Sequence, residues 1–247
     1  ENPSKYFSAN VAGMNQVLKV LSEVGIDKII FSSTASVYGN NCMDKPANED
    51  TLLNPVNPYA ETKLMGERMI YWMANRYSWK YVIFRYFNVA GAAMDTSNGL
   101  RVKNPTHIIP NINKTALGQN DALKIYGDDY ETRDGSCIRD YIHVLDLAQA
   151  HVKGFDYLFT DSSTSQIFNL GTEQGYTVKE IYNTAEQILQ QKIPHEIVAR
   201  RSGDPASVLA NASKAKEFLN WQATYSLKDI ILSDYKWRVK AGNSIVK

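Results

Sequence analysis

Apolar positions along the 247-residue chain switch between two spacings. From 4 to 24, Tyr6, Phe7, Val11, Met14, Val17, Leu18 and Leu21 recur at helical spacing, and Gly25 stops the run. Lys28-Ile29-Ile30-Phe31-Ser32-Ser33 reads as a buried strand ending in hydroxyls. A loop rich in Pro, Asn and Asp follows over 39–57, then a helix over 59–77 and a strand over 80–86. The segment 88–105, with Gly91, Asn98, Gly99 and Pro105, reads as loop. The pattern then predicts a helix over 106–117 closed by Gly118, a strand at 123–126, a charged turn at 127–136 and a helix over 144–159. It ends with a strand at 166–170, a helix at 177–190, a strand near 195–199, and helices near 213–219 and 226–240. Strands alternating with helices predict an α/β fold with a doubly wound parallel sheet. No Gly-, Ser- or Pro-rich linker marks a domain boundary.

Candidate chemistry falls where strands end. Tyr59 and Lys63 stand four residues apart at the start of a predicted helix, so phenol and ammonium share a face. A nearby ammonium favours phenolate and can lower a tyrosine pKa toward working pH. An isolated pair of this kind is usually a pair of exposed helix neighbours. Thr34, 25 residues earlier, closes the strand at 28–33. Taken alone it reads as a turn residue capping the strand exit. In open α/β sheets, however, ligands bind beyond the carboxyl ends of strands. A second apolar strand, Val82-Ile83-Phe84-Arg85-Tyr86-Phe87-Asn88, again ends in aromatic and polar residues.

Composition narrows the classes. The apolar share of 44% and charged share of 21% fit a globular protein with a sizeable core. A net charge of +1 with scattered basic residues gives no footprint for nucleic acid or a membrane surface. No apolar stretch approaches a spanning length, and residues 1–25 carry no secretory pattern. Cys42 and Cys137 are far apart and form no CxxC, which points to a reducing compartment, the cytoplasm, without a metal or disulfide framework. His143, His151 and His195 lack ligand spacing and read as structural; Tyr38 reads as turn packing.

Five segments together carry a resemblance: Asn10-Val11-Ala12-Gly13, Ser32-Ser33-Thr34-Ala35-Ser36-Val37-Tyr38-Gly39, Pro58-Tyr59-Ala60-Glu61-Thr62-Lys63, Arg85-Tyr86-Phe87-Asn88 and Arg139-Asp140-Tyr141-Ile142-His143-Val144. In this order and spacing they resemble the extended short-chain dehydrogenase/reductase family, over essentially the whole chain. Ile125-Tyr126-Gly127-Asp128-Asp129-Tyr130, Thr132-Arg133-Asp134-Gly135 and Arg200-Arg201-Ser202-Gly203-Asp204-Pro205-Ala206 narrow the likeness to its UDP-glucose 4-epimerases.

The resemblance implies C4 epimerisation of a UDP-hexose through a transient 4-keto sugar, with NAD as cofactor. It implies catalytic roles for Tyr59 as base, Thr34 as partner of O4, and Lys63 as the group lowering the Tyr59 pKa and holding the nicotinamide ribose. Asn10, Thr34, Tyr59, Lys63 and Phe87 are its cofactor contacts. Its substrate contacts are Thr34, Tyr59, Asn88, His107, Ile108, Lys124, Ile125, Tyr126, Arg139, Arg201, Asp204 and Val208. Arg139 and Arg201 would hold the diphosphate and Asp204 the ribose region. By residue type alone, both arginines equally suit salt bridges, Arg139 beside Asp140 and Arg201 near Asp204. Tyr126, with the strand backbone at Lys124 and Ile125, would meet the uracil; ordinary strand packing is its alternative. His107 departs from a common asparagine. Val208 stands where a bulky tyrosine can restrict the sugar's C2 substituent, so N-acetylated substrates are expected to fit.

No G-x-x-G-x-x-G or G-x-G-x-x-G occurs in the 247 residues. In the resembled family that loop cradles the pyrophosphate, so the first strands of the nucleotide domain are expected ahead of Glu1, and this piece alone is expected to be inactive. The family layout implies a partial NAD-binding domain at 1–88 and about 144–170, and a UDP-sugar lobe at 89–143 and 171–247. A homodimer would form through the helices at 4–24 and 59–77, with Phe7, Tyr71 and Trp72 as seam candidates, although burial against the sheet explains them equally. A 4,6-dehydratase is disfavoured because Ala35 and Ser36, not acids, follow Thr34. A related uronate or N-acetyl-sugar epimerase and a catalytically incomplete binding fragment are the alternatives.

Overall fold

The computed structural model describes residues 2–42, 45–201 and 203–245. Ser202 of the arginine motif and the side chain of Cys42 lie outside the described residues. In chain order the elements are α1 (Pro3–Tyr6), a π-helical turn (Phe7–Ala12), α2 (Gly13–Glu23), β1 (Lys28–Ser32), a 3₁₀ segment (Ala35–Cys42), α3 (Pro58–Tyr77), β2 (Lys80–Tyr86) and β3 (Asn88–Ala90). Then come α4 (Ile108–Ala116), β4 (Leu123–Tyr126), β5 (Ile138–His143), α5 (Val144–Leu158), β6 (Gln166–Leu170), β7 (Gly175–Thr177) and α6 (Val178–Leu189). The last are β8 (His195–Val198), β9 (Ser207–Val208), α7 (Ser213–Leu219) and α8 (Leu227–Ile245).

Two compact units divide the chain. The first holds 1–87, 149–170 and 210–222; the second holds 88–148, 171–209 and 223–247. Residues 210–222, expected with the second lobe, thus pack with the first, where the backbone N–H of Asn211 donates to the Ala47 carbonyl at 2.8 Å.

The first unit is built on a parallel sheet ordered β1-β2-β6, with Ser32 opposite Phe84 and Tyr86 opposite Leu170. Leu18, Ile70, Ala74 and Trp79 form a buried cluster joining α2 and α3 to the sheet, with Met14, Leu21 and Phe31 packed on it. Each fully buried side chain of this size contributes about 1.5–3 kcal/mol. Gly66 sets the approach of α3: a Cβ there would meet the Phe31 ring at 2.8 Å. The predicted helix over 4–24 is interrupted by the π turn.

Beneath the sheet's carboxyl end lies a polar network. Arg85 forks onto Glu67, Nε to Oε1 at 3.0 Å and Nη2 to Oε2 at 2.6 Å. Ser33 donates its hydroxyl to the same carboxylate. Arg85 Nη1 donates to the Tyr38 hydroxyl at 3.2 Å, and that hydroxyl donates to Asn169 Oδ1 at 2.7 Å. Tyr38 is therefore more than turn packing. It is fully buried, and its phenol is pushed up to about 12, chiefly by burial.

In the second unit β5 is central: parallel to β3 and β9 and antiparallel to β7. β4 and β8 form a separate parallel pair. The sequence pattern predicts loop over 88–105 and no strand at 138–143. β5 was hidden because Arg139, Asp140 and His143 break its apolar run. All three are buried and satisfied. Asp140 accepts from the backbone N–H groups of Thr172 and Glu173 at 2.8 and 3.0 Å. His143 Nδ1 accepts from the Leu145 N–H at 3.0 Å. β3, β7 and β9 are two or three residues long, too short to show a period.

Candidate functional site

Tyr59 is positioned by the first turn of α3. Pro58 starts the helix and the Asn57 side chain caps it, accepting from the Ala60 N–H at 2.9 Å. A relay of amide and hydroxyl fixes the same turn: Asn10 Nδ2 donates to Thr62 Oγ1 at 3.0 Å, and Thr62 donates to the Tyr59 carbonyl at 2.9 Å. Asn10 lies in the π turn, a feature often found at functional sites. Tyr6 packs edge-on against the Tyr59 ring, centroids 5.9 Å apart.

Thr34 fits its reading as a turn residue. Its Oγ1 accepts from the Ser36 N–H at 3.2 Å, closing the turn after β1. It also hydrogen-bonds the Tyr59 phenol, which pulls that pKa down, but burial outweighs the bond and holds Tyr59 above the usual tyrosine value. Lys63 donates to the Ser32 carbonyl at 2.9 Å and sits 5.0 Å from the Phe31 ring centroid. Its own pKa is lowered by burial. The expected lowering of Tyr59 by Lys63 is therefore not what this geometry produces: Thr34, Tyr86 and Tyr6 are the neighbours that act on the phenol. Phe87 is buried, and its N–H donates to the Leu170 carbonyl at 3.1 Å.

The second unit contains a cavity of about 930 Å³. Asn88, His107, Ile108, Lys124, Tyr126, Arg139, Arg201 and Asp204 all line it. Thr34 and Tyr59 belong to the first unit, and two predicted contacts of the second unit are also missing from the lining: Ile125 is part of the core cluster of Ile109, Ile112 and Leu123, and Val208 lies on β9 opposite Arg139. The predicted helix start at 106 moves to Ile108, with His107 at the N-cap position. Desolvation first, and then the Arg201 charge, hold His107 below its usual value.

Neither proposed salt bridge forms as drawn. Arg139 Nη2 pairs with Asp204 Oδ1 at 2.5 Å and also donates to the Pro205 carbonyl at 2.8 Å. Arg201 instead stacks on Tyr126, guanidinium carbon 4.0 Å from the ring centroid. Its neighbour Arg200 does the same over Tyr130 at 4.1 Å, with Nε on Asp129 at 2.5 Å. Lys124 pairs with Glu196 at 3.6 Å across the β4–β8 pair. A concave site with two guanidinium groups, a carboxylate and an aromatic ring suits an anionic nucleotide.

The sequence profile described as GDP-mannose 4,6 dehydratase matches residues 1–233. A UDP-glucose 4-epimerase of Halalkalibacterium halodurans is 43% identical over 238 residues, covering 96% of this chain and 71% of the relative. One of Streptococcus mutans is 44% identical over 239 residues, with shares of 96% and 71%. The chain belongs to the UDP-glucose 4-epimerase family. Its fold matches the structure of the Bifidobacterium longum UDP-glucose 4-epimerase in complex with NAD⁺ and UDP, with a TM-score of 0.91, 38% identity, and 98% of this chain and 72% of that one covered.

Within this family's frame, several lining residues escaped the sequence reading. Thr106, Asn111, Tyr141 and Glu196 all face the cavity. Only Tyr141 carried a signal, since it follows Arg139-Asp140 in the quoted motif. The others sit on segments whose facing surfaces are set by packing. Outside the cavity, His143 stacks on Tyr225 with ring centroids 4.4 Å apart, and His151 and His195 pack tilted against Phe84 and Tyr182 at 4.9 and 4.5 Å. No described helix is long and apolar enough to cross a membrane.

Proposed function

We propose that this chain carries the catalytic residues of a UDP-hexose 4-epimerase that interconverts UDP-glucose and UDP-galactose. The observation carrying it is the hydrogen-bonded Thr34–Tyr59 pair at the end of a parallel strand, in a chain that also holds a two-arginine cavity of nucleotide size. Arg139 and Arg201 bind the diphosphate, and Asp204, already tied to Arg139, meets the ribose. Tyr59 takes the proton of the 4-hydroxyl as phenolate, a form that burial opposes and that the positive charge of bound NAD⁺ would favour. Thr34 bonds O4 and relays that proton. Remote binding of the nucleotide half retains the 4-keto sugar while it turns over.

NAD, when bound, supplies the hydride acceptor and donor for C4. The donor set of the first unit fits its nicotinamide-ribose end. An ammonium has three donors and Lys63 uses one of them on Ser32, leaving others for ribose hydroxyls. Asn10, Thr34, Tyr59 and Phe87 are the further residues that would hold it.

A 4,6-dehydratase, suggested by the name of the matching profile, needs an acid beside the hydroxyl. Ala35 and Ser36 stand there, with the Ser36 hydroxyl 3.2 Å from that of Thr34. Turnover of N-acetylated UDP-sugars is the second reading; it rests on the small Val208, which stands on β9 beside Arg139 and not on the cavity wall. Phe7, Tyr71 and Trp72 are exposed, Trp72 at 70%, which favours their role as a seam between two copies of the chain over burial on the sheet. The test is conversion of UDP-galactose to UDP-glucose by the NAD-loaded enzyme. Turnover of uronate sugars alone, or binding of UDP without turnover, overturns the reading.

A further inference from the structure

A second cavity, of about 670 Å³, lies in the same unit as the nucleotide cavity, within the size range of small-molecule sites. Its wall is formed by the loop from Thr96 to Lys103, by Lys114 of α4, and by α8 from Trp237 to Gly242. Five cations line it: Arg101, Lys103, Lys114, Arg238 and Lys240. None of the described lining residues is acidic.

Arg238 is buried and answered from within the helix by Asp234 at 2.7 Å. Lys114 and Lys240 donate to the carbonyls of Lys103 and Thr96, each at 3.0 Å. Those bonds pin the loop to the two helices. Asp95, exposed at the loop's start, is a carboxylate that feels the Lys240 charge. The floor between the cations is apolar. Leu100, Val102 and the buried Trp237 are its apolar lining, and Trp237 Nε1 donates to the Leu100 carbonyl at 3.3 Å. Gathering like charges over an apolar floor is unfavourable until an anion enters, and a cleft focuses that field.

We infer that this cavity binds a phosphorylated small molecule with two or more negative charges, and that its occupancy strengthens binding in the nucleotide cavity. The two cavities share a wall. Leu100 to Lys103 line the cationic one, Pro105 to Ile108 line the other, and Gln119 lines both. An anion drawing in Arg101 and Lys103 orders the segment that carries Thr106 and His107. A nucleotide arriving afterwards meets a smaller ordering cost, which is positive coupling. The cavity's anion binding stands on its own charges; the coupling rests on the nucleotide reading above.

The experiment uses the NAD-loaded enzyme and inorganic tripolyphosphate. With UDP saturating, calorimetry should show one further binding event. Replacing Arg101→Ser and Lys240→Ser together should weaken it at least about tenfold while leaving UDP affinity without probe unchanged. Absence of that event, or equal binding by the variant, overturns the site. In the second arm, UDP affinity is measured with and without probe. Wild type should gain about fivefold or more, and the variant should not. Weakened UDP binding in both proteins means simple competition and overturns the coupling. If UDP fails to bind at all, the nucleotide reading fails, while the probe titration still decides the cationic site.

Discussion

The guanidinium carbon of Arg201 sits over the ring of Tyr126, 4.0 Å from its centroid. Stacking uses the face of the guanidinium and leaves its in-plane N–H groups for a phosphate. Tyr126 therefore acts as the platform for Arg201. Arg139 is held differently, by Asp204 and the Pro205 carbonyl. Arg201→Ala should weaken UDP binding by roughly 1.5–3 kcal/mol. Tyr126→Ala should cost less, and the double variant should cost less than the sum, because the two act as one unit. Calorimetric additivity would separate them and return Tyr126 to a direct contact with the base.

Tyr59→Phe keeps the ring packed against Tyr6 and removes only the hydroxyl. Epimerisation should fall by about 10²–10⁴-fold with UDP affinity unchanged. A variant retaining half the wild-type rate removes Tyr59 from the role of base.

Burial sets the direction of the pH response. The folded pKa of Tyr59 lies above its ordinary 10.0, so the phenol is protonated at neutral pH and ionises only as pH rises through that higher value. The difference in tyrosinate absorbance between the wild-type chain and Tyr59→Phe should thus develop at higher pH than the ionisation of an exposed tyrosine. The hydrogen bond from Thr34 lowers the pKa, so Thr34→Ala should move ionisation further upward. An unmoved or downward-shifted titration contradicts the pairing.

Glu67 and Arg85 form an ion pair with both side chains about 95% or more buried. Glu67→Ala leaves a buried guanidinium uncompensated and should destabilise the chain by roughly 3–5 kcal/mol. Because Glu67 also accepts from Ser33, next to Thr34, the rate should fall along with the melting temperature. Denaturant unfolding within about 1 kcal/mol of wild type would show that the network can be dispensed with.

Val208 pairs with Arg139 across β9 and β5. If its small side chain leaves room for an acetamido group, Val208→Tyr should depress kcat/KM for UDP-N-acetylgalactosamine at least about tenfold more than for UDP-galactose, since exclusion by bulk works through clash. Equal effects on the two sugars remove Val208 as the gate.

Local physics made much of this chain legible in its sequence. The strand at 166–170 and the helix at 213–219 have the bounds the pattern predicts. The strand and helix carrying Thr34, Tyr59 and Lys63 start or end within one residue of prediction. Backbone geometry repeats every two or 3.6 residues, and that repeat is written in neighbouring side chains. The i, i+4 placement of Tyr59 and Lys63 needed nothing more.

Tertiary structure decided who meets whom. Asp204 could reach Arg139 or Arg201, and the register of β9 beside β5 gave it to Arg139. Arg201 was thereby left to stack on Tyr126, 75 residues earlier in the chain. β5 looked too polar to be a strand until the turn at Thr172 and Glu173 supplied donors for Asp140. The Tyr59 pKa followed the same rule: the sequence placed an ammonium one turn away, but packing sent that ammonium to the Ser32 carbonyl and buried the phenol. Pairings between distant residues depend on how elements pack, and a periodic pattern records only the face each element buries.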